Sequence, residues 1–262
     1  MKKITSIIAS IFIIPSLFSQ VGGISTSKLN TNAPETIGKN ALEVEADFTF
    51  IGGNKQFDNH RSVETLPENF NDTELGVRMA YGISDKTDVG AYLDEELTIL
   101  NLSGRYHFLD HEKFNVGTIA GFNIPLREAF KAHSIHDEGN TTAYVVGLTS
   151  SYYFSDCLSI DSDFQIQNYF KHLDNHHKED IFINTDVGFQ ASEKWLIMTG
   201  VNYVFSHYTE SIDNSENLTI NPGVAFFPSN TIFNCTINFP FSVYGKNSEK
   251  QNGVQFAWTF AF

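Results

Sequence analysis

The sequence predicts an all-β protein: a single antiparallel transmembrane up-and-down β-barrel of about twelve strands, outer-membrane type. Three observations predict it. Apolar and polar residues alternate with a period of two in segment after segment, the connections between these segments are alternately tight and long, and the last segment, residues 252–262, ends on Phe262. A terminal aromatic on an alternating strand resembles the signal that hands outer-membrane barrels to their insertion machinery, so the apolar faces are expected to meet outer-membrane lipid rather than a dry core.

At the other end, Met1-Lys2-Lys3 is a short positive region and residues 4–18 are dominated by apolar side chains, the pattern of a secretory signal peptide covering residues 1–20. Its removal takes away Lys2 and Lys3 and no acid, which moves the formal charge from −14 to −16. So acidic a chain has no basic face for nucleic acid. Phe is frequent at 24 and Tyr adds 10, yet beyond the signal there is no apolar run long enough for a membrane helix. Two cysteines, Cys157 and Cys235, define no disulfide framework.

Residues 21–40 are polar, contain Pro34, and read as a flexible periplasmic lead-in, with the barrel occupying 41–262. The first strand follows with Leu42, Val44, Ala46, Phe48 and Phe50 on one face and Glu43, Glu45, Asp47 and Thr49 on the other. Leu75, Val77, Met79 and Tyr81 mark the second strand; Val89, Ala91 and Leu93 a short third; Leu100, Leu102, Tyr106 and Phe108 a fourth; Phe114, Val116, Ala120 and Phe122 a fifth. Tyr144, Val146, Leu148, Tyr152 and Phe154 belong to a sixth, Leu158, Ile160, Phe164 and Ile166 to a seventh, Ile181, Ile183, Val187 and Phe189 to an eighth. Trp195, Ile197, Val201 and Tyr203 form the ninth; Leu218, Ile220, Val224 and Phe226 the tenth, where Pro222 removes a ladder donor and predicts a bulge or break. Phe233, Cys235, Ile237 and Phe239 precede the last strand. No charge stands on any of these apolar faces, as lipid requires, since Arg or Lys at mid-membrane costs about 2–4 kcal/mol.

Tight turns are expected at 84–87, 110–112, 155–157, 192–194 and 228–230, and long polar loops at 52–71, 126–141, 170–179 and 206–217. Short periplasmic turns and long outer loops are the barrel rule, which puts both termini in the periplasm of a Gram-negative cell. Tyr81, Phe108, Phe114, Phe154, Trp195, Phe226 and Phe262 then form one aromatic girdle, and Phe50, Phe122, Tyr144 and Tyr203 the other.

The faces opposite the apolar ones line a lumen. They supply Glu43, Glu45, Asp47, Glu74, Asp161, Asp163 and Asp186 against Arg78 and Arg105. In an open lumen this excess of carboxylate favours cations or neutral polar solutes; in a narrow one the arginines pair with the acids and hold the barrel's shape. Most histidines fall in the long loops. His133 and His136 stand near Asp137 and Glu138, and His172, His176 and His177 near Asp174 and Glu179, weak candidates for a metal site because flexible loops commonly carry solvated His. Ser134, His136 and Asp137 can be assembled into a hydrolase site, but so can residues of almost any polar loop, and no strained nucleophile turn supports it; the chain reads as a non-enzyme. No phosphate loop, CxxC or dinucleotide fingerprint is present, and no cofactor is expected.

Residues 34–40, Pro-Glu-Thr-Ile-Gly-Lys-Asn running into the first strand, and residues 81–90, where a turn follows Tyr81-Gly82 and precedes Asp88-Val89-Gly90, resemble the outer-membrane family named after the MetA pathway of phenol degradation. The resemblance implies a barrel over nearly the whole mature chain and a transporter or channel for small aromatic or hydrophobic molecules. It carries no substrate-binding residue onto this sequence. Two readings stay open: a barrel that passes or binds small solutes passively, and a barrel that only anchors loops which bind a partner or a metal.

Overall fold

The structure, a computed structural model, describes residues 22–24, 28–95, 97–126, 142–170, 177–209, 214–228 and 232–262. Among them every regular element is a strand: β1 (Leu42–Phe57), β2 (Val63–Ser84), β3 (Thr87–Asp94), β4 (Ile99–Leu109), β5 (Phe114–Pro125), β6 (Ala143–Ser155), β7 (Leu158–Tyr169), β8 (His177–Ser192), β9 (Trp195–Tyr208), β10 (Ser215–Phe226), β11 (Phe233–Asn238), β12 (Phe241–Lys246), β13 (Ser248–Glu249) and β14 (Asn252–Ala261). Neighbours in sequence pair antiparallel from β1 through β10. The short pieces β11 and β12 both pair β10 and together make one broken wall strand; β13 and β14 both pair β1 and close the ring. The result is a closed twelve-stranded antiparallel barrel, so each strand's N–H and C=O groups find partners on both sides, the condition for strands to cross lipid.

Burial is inverted relative to a water-soluble β-sandwich. Leu148 and Phe154 are 57 % exposed, Ile197 53 % and Phe122 51 %, whereas Gln165, Asn184, Asp186 and Asn221 are 0 % exposed. The side chains assigned to the lipid face stand outside, and the polar alternates point into the lumen. Phe48 lies opposite both Phe256 and Leu75, so the apolar stripes of adjacent strands fuse into one band. Near the short turns, Trp195 meets Phe226 at 4.7 Å and Tyr152 meets Phe154 at 4.8 Å between ring centroids.

The break predicted at Pro222 has a simple cause. In the register of β10, Ile220 faces Phe241 and Gly223 faces Asn238, so Asn221 and Pro222 lie opposite Phe239 and Pro240. Two residues without an N–H meet there, and the ladder is bridged instead by the Phe239 N–H donating to the Pro222 carbonyl at 2.9 Å.

One expected loop is a correction. Residues 52–71 do not form a long polar loop: β1 and β2 continue outward as a paired hairpin past a bulge between Gly53 and Lys55, up to Phe57 opposite Val63. The turn is closed by Asp58, whose carboxylate accepts the His60 and Ser62 N–H groups at 2.8 and 2.7 Å. Polar side chains do not oppose pairing once the strands have left the bilayer. Phe57 and Leu66 are buried in this extension, and β13 pairs its edge.

Candidate functional site: a lumen holding its own N-terminal segment

The lumen is where the sequence and the structure differ most. Residues 22–24 and 28–37 do not form a free periplasmic lead-in. They lie inside the barrel: Ile24 is 1 % exposed, Thr31 0 %, Asn32 1 % and Ala33 4 %. A segment rich in Asn, Thr and Ser exposes more backbone polar groups than it can satisfy alone, and the inward carboxylates satisfy them.

Asp186 on β8 accepts three successive backbone N–H groups on one oxygen, from Leu29, Asn30 and Thr31, at 3.0, 3.1 and 3.0 Å. This is an anion-binding concavity of the main chain occupied by a side chain of the wall. Asp163 on β7 accepts the next N–H, from Asn32, at 2.7 Å, and its other oxygen takes Gln165 and Asn184, each at 2.8 Å. Asp161 pairs with the Lys28 ammonium group. Leu29 also packs on Met198 and Ala225, and Ile24 on Ile119 and Val145, two small apolar patches in a polar interior.

The arginines grip the same segment from the other wall. Arg105 on β4 forms a two-pronged ion pair with Asp88 on β3, Nη2 to Oδ2 at 2.5 Å and Nε to Oδ1 at 3.2 Å, and donates Nη1 to the Ala33 carbonyl at 2.7 Å. Arg78 on β2 is shared by Glu43 and Glu45 of β1 at 2.9 and 2.8 Å, and donates to the Ile24 carbonyl at 2.5 Å. Glu74 accepts the Tyr92 hydroxyl at 2.6 Å. Inward glycines make room: a Cβ at Gly90 would fall 1.8 Å from the Gly23 carbonyl oxygen, and one at Gly82 would fall 1.7 Å from that of Gly38. Any side chain at either position would collide with the segment's backbone.

At the short-turn end the segment is fastened by Glu35, which accepts Asn115 at 2.7 Å, Tyr153 at 2.8 Å and Ser151 at 3.0 Å. Burial pushes the Glu35 carboxyl up, but these hydrogen bonds outweigh it and hold the group below its ordinary value. A carboxyl depressed in the seated state stabilises seating above the ordinary carboxylate range and stops doing so as pH falls through the lowered value. The segment should therefore be held less tightly once pH falls below the ordinary carboxylate range, read as loss of its protection from protease in micelles, and Glu35→Gln should remove part of that dependence; a pH response unchanged by the substitution contradicts this role.

Nine lumen-facing residues were expected: Glu43, Glu45, Asp47, Glu74, Arg78, Arg105, Asp161, Asp163 and Asp186. All face the interior, but they form three groups. Asp161, Asp163 and Asp186, with Arg78 and Arg105, hold the N-terminal segment; Glu43 and Glu45 are paired with Arg78; Asp47 and Glu74 lie beside Tyr92. Of the two lumens the sequence left open, the arrangement is nearer the narrow one, with Arg78 and Arg105 paired to carboxylates. Lys28, Glu35 and Asp88 were missed. The signal for Asp88 was available, since it and Arg105 stand directly opposite in the β3–β4 register.

His177 is also corrected. It is not a loop residue free to bind metal but the 1 % exposed start of β8, its ring between Tyr169 and Tyr208 at 4.6 and 4.5 Å, with Nε2 2.8 Å from the Asp180 carboxylate. His133, His136, His172 and His176, together with Ser134 and Asp137, lie outside the described residues. Among the described residues no group of three or more His, Cys, Asp or Glu is placed to hold a metal ion.

No protein-family model matches the chain, and no curated protein matches it by sequence. Solved structures do match the fold. An outer membrane channel from Pseudomonas putida F1 superposes with a TM-score of 0.72 at 9 % identity, covering 87 % of this chain and 98 % of that one. The NanC porin gives 0.53 at 8 % identity over 84 % of this chain and 98 % of its own, and the KdgM porin in complex with disordered oligogalacturonate gives 0.52 at 8 % over 85 % and 99 %. The fold is that of outer-membrane β-barrels.

Proposed function

We propose that this chain is an outer-membrane channel for the passive passage of small solutes, closed at rest by its own N-terminal segment, with both termini in the periplasm. The observation that carries it is the content of the lumen. The interior is occupied by a separate stretch of chain, not by interlocking apolar side chains of the wall, and the hydrogen bonds and ion pairs that hold that stretch support its reading as a releasable stopper. A barrel serving only as an anchor needs neither a polar lumen nor a removable stopper. The polar lining, with carboxylate in excess, supports cations and neutral polar solutes as cargo more than the aromatic or hydrophobic molecules implied by the sequence resemblance.

Single-channel recording of the refolded mature chain in planar bilayers is the test. Discrete conductance steps with cation-favouring reversal potentials are expected. Inserted, folded barrels that stay silent would support the anchor reading instead.

A further inference from the structure

The wall holds the N-terminal segment largely by its main chain. Asp186 and Asp163 accept the N–H groups of four consecutive residues, Leu29, Asn30, Thr31 and Asn32. From the opposite side Arg105, Arg78 and the Ser103 hydroxyl donate to the carbonyls of Ala33, Ile24 and Gly22. Every peptide carries such donors and acceptors, so these contacts do not depend on the segment's own side chains. Several of the groups are positioned by the wall itself: Asp88 fixes Arg105, Glu43 and Glu45 fix Arg78, and Gln165 and Asn184 fix Asp163. A segment that leaves therefore uncovers a track already arranged for an extended main chain.

Two side chains are read as well. A Cβ at the inward Gly188 would fall 2.5 Å from Lys28 Cε, and one at Gly223 would fall 2.8 Å from Leu29 Cδ2. Glycine at the first position leaves a slot in which a cation reaches Asp161. Glycine at the second leaves room for an aliphatic group against Met198 and Ala225.

We infer that the lumen is a peptide-binding track which the N-terminal segment occupies as a pseudosubstrate, and that short extended peptides with a basic residue followed by an aliphatic one are among the solutes it takes. Consecutive N–H groups match Asp186 and Asp163, and the two side chains match the two slots. A neutral saccharide brings donors too, but neither the charge for Asp161 nor the apolar group for Met198 and Ala225. The inference rests on the reading of the lumen as a solute path, but binding can be measured without conduction.

The test is calorimetric titration of the full mature chain in detergent micelles with an acetylated, amidated decapeptide of the sequence of residues 28–37. The protein carries Lys28→Glu with Leu29→Asp, which unfits its own segment for both slots and leaves every wall residue in place. Saturable uptake of one peptide per barrel is expected, and binding to the wild type at least about tenfold weaker, because its tethered segment competes. This gain over the wild type guards against reading misfolding as loss of a site. N-methylation of the peptide at the positions of Asn30 and Thr31, which deletes two N–H donors to Asp186, should weaken binding by about tenfold or more. Lys28→Glu in the peptide should do the same, whereas Asn32→Ala in the peptide, which keeps the N–H, should change affinity by less than about threefold. Absence of saturable uptake by both proteins, or indifference to N-methylation and to the charge reversal, would overturn the inference. If binding is found while bilayers stay silent, the track stands and the channel reading falls; if steps are recorded without binding, the reverse holds.

Discussion

Arg105→Met should cost about 3–5 kcal/mol of barrel stability, the loss expected when one member of a buried ion pair is removed and the other is stranded. Asp88 is 0 % exposed and Arg105 2 %, and without the guanidinium the carboxylate keeps the Ile37 N–H, at 3.2 Å, but no cation. The same substitution also releases the Ala33 carbonyl. The double change Arg105→Met with Asp88→Asn removes the stranded charge, and an ion pair replaced as a whole by neutral groups is often close to neutral in stability. Urea unfolding in micelles should therefore rank the wild type first, the double variant near it, and Arg105→Met well below. Single and double variants of equal stability would show that the pair is not desolvated as the geometry requires. A second consequence separates wall from stopper: the double variant restores the barrel but not the donor to Ala33, so it should fold well while holding the segment more loosely.

The fold was legible because a membrane barrel writes its environment into every second residue. Phe48, Val77, Leu148 and Ile197 could be assigned to the lipid side from alternation alone, and the tight turns at 84–87, 110–112, 155–157 and 192–194 were marked by Ser, Asp and Lys between alternating runs, the fifth expected turn lying outside the described residues. The 52–71 hairpin was not legible, because beyond the bilayer both faces are wet and alternation no longer distinguishes strand from loop. The N-terminal segment was not legible for a related reason. Composition marks residues 22–37 as unable to build a core, which is correct, but says nothing of a shell of fixed carboxylates waiting to satisfy their backbone. Asp161, Asp163 and Asp186 were found as lumen residues from their parity on β7 and β8. Their partners, the N–H groups of residues 29–32, are main-chain atoms and leave no trace in side-chain identity. Inward glycines offered the best available clue: Gly82 and Gly90 interrupt lumen faces otherwise occupied by side chains, which is what close approach by another backbone demands.

Asp186→Ala should open the channel. The substitution deletes the one oxygen that accepts the N–H groups of Leu29, Asn30 and Thr31 and leaves three donors facing a methyl group. Losing a set of buried, charge-assisted hydrogen bonds costs on the order of 3 kcal/mol or more, which lowers the ratio of seated to unseated segment by about a hundredfold. The wall should be indifferent, since Asp186 faces the lumen and its strand keeps its own backbone ladder to β7 and β9. The effect therefore belongs to gating and not to folding, and Asp163→Ala, which frees only the Asn32 N–H and two amides, should act in the same direction with smaller size. The most direct measurement is single-channel recording of Asp186→Ala beside the wild type in the same planar bilayers at neutral pH. Rare or small steps in the wild type and long-lived, larger steps in the variant are the predicted result; indistinguishable traces from two equally folded barrels would contradict a lumen closed by its own N-terminal segment.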